Sequence, residues 1–87
     1  MKLWLLRPIE GLKNSPWEPW YDKAFGFVVR AETEAEARRY ADEDGGEETE
    51  RYQQVQRHPW LDAALSTCVE LLPEGESGVV IQDFYAA

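Results

Sequence analysis

The chain has little of what chemistry at a protein site usually needs. Its 87 residues include one cysteine, Cys68, and one histidine, His58. A single cysteine excludes an internal disulfide framework and fits a reducing compartment. Two such residues are too few for a structural zinc site. Basic side chains are scarce too: nine Lys and Arg stand against seventeen Asp and Glu, a formal net charge of −8. With a pI near 4.5, the chain would be repelled by nucleic acid or an anionic membrane. Long apolar runs are missing. The opening Leu3-Trp4-Leu5-Leu6 stops after four residues at Arg7-Pro8, whereas a secretory signal needs about 7–15 and a bilayer span about 20. The expectation is a soluble, intracellular protein.

Catalytic signatures are equally thin. Gly45-Gly46 follows a predicted helix, sits among acids and lacks the lysine of a phosphate-binding loop, and there is no G-x-S-x-G or dinucleotide fingerprint. Asp42 and Asp44 could open a calcium loop, yet Gly46 stands where the third ligand belongs. A Cys68–His58 nucleophile and base pair is formally conceivable. Against it, Cys68 falls among Thr67, Val69 and Leu71 in a predicted strand, and His58 precedes a proline with no evident carboxylate to orient it. The chain reads as a non-enzyme with no cofactor and no metal.

What is present is a globular composition, 44% hydrophobic and 30% charged, too apolar for disorder. Residues 1–87 read as a single domain whose core is small, because so short a chain buries only about 60% of its unfolded surface. Residues 2–7 read as a strand with apolar residues on both faces, as in an interior strand. Pro8, Pro16 and Pro19, with Gly11, Asn14 and Ser15, make 8–23 a long loop. The alternation Phe25, Phe27, Val29 predicts a second strand over 24–31.

Thr33-Glu34-Ala35-Glu36 is a capping box opening a helix over 33–44, with Ala37, Tyr40 and Ala41 as its apolar stripe and Gly45-Gly46 as its stop. Residues 47–57 are polar and patternless, either a helical turn or a loop. His58–Asp62 reads as a turn that plugs Trp60 and Leu61 into the core. Residues 67–72 and 78–84 read as third and fourth strands joined through Pro73–Ser77 in an antiparallel hairpin. The fold expected is α+β: a small antiparallel sheet of about four strands, in the order ββαββ, with one helix on one face.

Charge is unevenly distributed. Residues 1–31 carry a net +2, residues 32–50 a net −7 and residues 51–87 a net −3. The acids of the middle segment are either a solubilising face or an electronegative surface that docks on a basic groove and steers association. The residues that would carry such docking are Glu32, Glu36, Asp42, Glu43, Asp44, Glu47, Glu48 and Glu50, with Arg38 and Arg39 giving local register. Trp17, Trp20 and Tyr21 crowd one proline-rich loop. Folded back, they cap the sheet with much-needed apolar area; exposed, they are anchors for a partner.

The stretches WEPWYDKAFGFVVRAETEAEARR (17–39) and WLDAALSTCVEL (60–71) resemble small uncharacterised proteins encoded in phages, prophages and bacterial genomes. In size, acidity and layout the chain is also similar in kind to anti-CRISPR proteins. These motifs are structural, so the resemblance carries over no functional residue. The leading expectation, drawn from the net −7 segment on an otherwise near-neutral chain, is a phage-type inhibitor acting in the cytoplasm of a bacterial host. Its partner would be a protein with a basic surface, such as a nucleic-acid-binding CRISPR effector subunit. The alternative is a structural or assembly module, self-associating or an accessory phage component, and either a monomer or a homodimer fits.

Overall fold

The computed structural model describes residues 1–17, 23–49 and 58–83. Three strands form one antiparallel sheet: β1 (Lys2–Pro8), β2 (Phe27–Ala31) and β3 (Ser66–Leu71), in the order β2-β1-β3. One helix, α1 (Glu34–Asp44), and two 3-10 turns, Glu47–Thr49 and Pro59–Leu61, complete the regular structure among these residues. β1 is interior by pairing, as expected. Leu6 lies opposite both Phe27 and Cys68, and Leu3 opposite both Arg30 and Leu71.

This register and the two-residue period of a strand separate two faces. Trp4, Leu6, Phe27, Val29, Ala31, Ser66 and Cys68 share the helix side. Its buried core is Leu6, Trp17, Ala31, Ala37, Ala41 and Trp60. Two alanines are the whole buried apolar contribution of α1, and their small size lets the helix approach the sheet closely. Bulk comes from the tryptophans. Trp60 meets Trp17 edge-on at 4.7 Å between ring centroids and Phe27 at 5.0 Å. An aromatic ring of this kind removes about 150–250 Å² from water, more than any other residue type in so small a core.

α1 begins as its sequence dictates. Glu36 N–H donates to Thr33 Oγ1 at 3.2 Å, and the Glu36 carboxylate accepts at 3.4 Å from Glu32 N–H, one residue ahead of the cap. It ends at Gly45, where the reason for glycine is space. A Cβ there would collide with the Thr49 methyl and stand 2.9 Å from Glu48 Oε2. The stop thus brings the 47–49 turn hard against the end of the helix.

Several expectations change. No fourth strand forms among residues 78–83 (position 84 lies outside the described residues), so among the described residues the hairpin with β3 is not made and the sheet has three strands. Gly78, at the start of the expected strand, adopts a φ of 152°, a conformation open to glycine that departs from the extended backbone of a hairpin arm. The second strand begins only at Phe27, and Leu61 is 47% exposed beside a fully buried Trp60. Tyr40 was expected in the apolar stripe but is 43% exposed. The second face of β1 is open rather than buried. Among the described residues no helix is long and apolar enough to cross a membrane.

Candidate protein-binding surfaces

The polar groups nearest the core are structural. Glu48 is fully buried. Its Oε1 accepts from Ala24 N–H at 3.1 Å and Gly46 N–H at 3.0 Å, while Oε2 accepts from the Trp60 indole N–H at 2.7 Å. One carboxylate therefore ties the approach to β2, the end of α1 and the central tryptophan together. A buried indole N–H or amide left without an acceptor costs about 1–3 kcal/mol, which these bonds avoid. Glu48 is thus withdrawn from the docking set, because no partner can reach it.

Arg38 is buried as well and does not meet a partner. Its Nε donates to Glu34 Oε2 at 2.9 Å, one Nη to Trp60 O at 3.0 Å and Ser66 Oγ at 2.8 Å, and the other Nη to Ser66 O at 3.2 Å. Ser66 Oγ donates in turn to Pro59 O at 2.7 Å. The guanidinium fork joins α1 to the 59–61 turn and to β3. Only Arg39 stays on the surface, 5.7 Å over the Tyr40 ring.

Trp17 is likewise corrected: it is 4% exposed and its indole donates to Leu65 O at 3.0 Å. It is a core residue, as the folded-back reading of its loop requires. Trp20, Tyr21 and Glu50 lie outside the described residues.

The remaining acids divide. Glu36 is engaged in capping. Asp42 Oδ1 and Oδ2 lie 3.0 and 3.2 Å from His58 Nδ1, so His58 does have a carboxylate beside it, one supplied by α1. Glu32, Glu43 and Asp44 are exposed and Glu47 is half-buried. Glu36, Tyr40, Glu43 and Asp44 share one side of α1 by the three- and four-residue spacing of a helix. Tyr40 and Asp44, with Phe27, Val28, Val29 and Arg30 from β2, line a shallow notch of about 290 Å³. Sequence reading missed Tyr40 as a surface aromatic because its position fits the apolar stripe. Helix phase explains it: the buried face of α1 is centred on Ala37, Arg38 and Ala41, and Tyr40 falls to one side of it.

Other reactive groups have ordinary surroundings. Cys68 faces Leu6 across the sheet, and its thiol is raised above the ordinary value chiefly by burial. Arg38 opposes that rise and Glu34 adds to it. A wider groove of about 780 Å³ beside β1 is lined by two cations, Arg7 and Lys23, and two acids, Glu10 and Asp83. Lys23 Nζ already donates to Trp17 O at 2.6 Å. Among the described residues no cluster of three or more His, Cys, Asp or Glu is placed to hold a metal ion. Comparison with family models, curated proteins and solved structures finds no match to this chain.

Proposed function

We propose that this chain is a non-enzymatic binding module that docks on a basic surface of a partner protein through the outer side of α1. It would act as a phage-type inhibitor of a host defence protein, such as a nucleic-acid-binding CRISPR effector subunit. The observation that supports this reading is Tyr40. It is an aromatic ring 43% exposed, set among Glu36, Glu43 and Asp44 on one helix side and lining a shallow notch with Phe27, Val28 and Val29. Tyrosine supplies contact area at low entropic cost and is enriched among residues that dominate binding energy, while surrounding carboxylates steer a basic partner and reject an acidic one.

The test is capture from a bacterial lysate on the immobilised protein, washed at low and then high salt, with the parent beside E43K/D44K and Y40A. The expected result is one nucleic-acid-binding protein, held by the parent, released as salt rises, lost with E43K/D44K and weakened with Y40A. Melting should stay close to the parent, since surface changes usually fall within about 0.5 kcal/mol. Equal capture by E43K/D44K refutes docking by this surface.

A further inference from the structure

The side of the sheet away from α1 carries no helix or strand among the described residues, and its composition is not that of a water-facing surface. An antiparallel sheet with one solvated face normally alternates apolar inward and polar outward. Here the outward positions include Leu3, Leu5, Val28, Val69 and Leu71, with Val28 and Val69 57% and 58% exposed. The charged residues that share this face are Arg7 and Arg30, and no acid lies among its outward positions in β1, β2 or β3. On a molecule of net charge −8, this is the direction from which an identical copy meets the least repulsion.

A second feature matches the first. Gly78–Asp83 is the segment whose composition predicts a strand, yet it joins no strand among the described residues. Val79 and Val80 are 81% and 79% exposed. The edge it should pair with is present: β3 is an outer strand of the sheet. The connection 72–77, which carries Pro73 and Gly75 and leads into Gly78, is the hinge from which the arm can pair with another copy.

We infer that the 78–83 arm of a second copy pairs with the open edge of β3, reciprocally, and that the two copies bury their uncovered sheet faces in doing so. Size decides between this and a plain face-to-face dimer. Three strands about 4.8 Å apart, rising about 3.4 Å per residue, make a face of roughly 300 Å². A specific interface needs about 800 Å² from each partner. The bare face falls short, and two exchanged arms supply backbone pairing and apolar area that it lacks. An arm of six residues spans about 20 Å, the length of the β3 edge.

This inference does not depend on docking by α1, and salt separates the two. Screening weakens an acidic surface on a basic partner, whereas it strengthens association of two copies at −8 each. The experiment is sedimentation equilibrium of the full chain from 5 to 500 μM (roughly the span over which weak dimers form), at low and high salt. The parent should dimerise with rising concentration, and more tightly at high salt. V69D, on the face, and V79D/I81D, on the arm, should each be monomeric with unchanged circular dichroism. A parent that stays monomeric throughout overturns the inference, as does a dimer that both variants retain.

Discussion

The Glu48–Trp60 pair makes the sharpest test of how this small core is held. Glu48→Gln keeps the shape of the side chain but leaves one oxygen for what two oxygens now accept. In its best orientation the amide oxygen stays on Ala24 N–H and Gly46 N–H, and the new NH2 group meets the Trp60 indole N–H, donor against donor. Removing that bond and leaving both groups buried should cost about 1–3 kcal/mol. A domain of this length has about 4–13 kcal/mol of stability in all, and near its midpoint each kcal/mol moves Tm by about 4–8 °C. Glu48→Ala strands three donors instead of one, and the cost should rise to most of the available stability. Trp60→Phe removes the indole N–H and leaves Oε2 without that partner, with an added penalty for the volume lost. In the double variant E48Q/W60F the clash disappears, so the two costs should sum to more than the measured whole by about 1 kcal/mol or more. Urea denaturation followed by far-ultraviolet circular dichroism reads the parent and all four variants. If Glu48→Gln lies within about 0.5 kcal/mol of the parent, a surface-like value, the carboxylate is not what holds the tryptophan.

The other expectations follow from neighbouring groups. Arg38→Lys retains charge but cannot supply the planar fork that reaches Glu34, Trp60 O and Ser66 together. It should cost about 2–3 kcal/mol in denaturant midpoint, and a loss below about 0.5 kcal/mol would contradict the bridging role. The Cys68 thiol, raised by burial, should react with iodoacetamide at pH 8 more slowly than an unfolded control. Because the folded state holds this proton more tightly than the unfolded state does, its contribution is whole below the unfolded pKa and is lost as pH rises through the folded one. The stability of the parent relative to C68A should therefore fall as pH rises past the ordinary thiol range of about 8.5, and a gap that stays constant or widens would contradict the shift.

What a sequence determines by itself is set by the range of the interactions involved. Local rules were sufficient for α1, because capping by Thr33 and termination at Gly45 depend on groups within a few residues, and the apolar runs of β1, β2 and β3 were legible for the same reason. Net charge and its concentration in 32–50 were also determined without any fold. What the chain does with those acids was not. Glu48 and Asp44 are four residues apart and alike in chemistry, yet one is sealed under Trp60 and the other faces solvent. The difference arises because Gly45 folds the 47–49 turn onto a tryptophan twelve residues further on. Arg38 and Arg39 are adjacent, and only the helix phase against Ser66 decides which is buried. The hairpin over 67–84 obeyed every local rule and is not made within the described chain. Strand pairing depends on what lies across the gap, and composition alone records only the wish to pair. Length, charge, helix limits and strand tendency belonged to the sequence. Which carboxylate is structural, which aromatic is outside and which sheet face is uncovered were decided by tertiary packing, because each depends on partners far away along the chain.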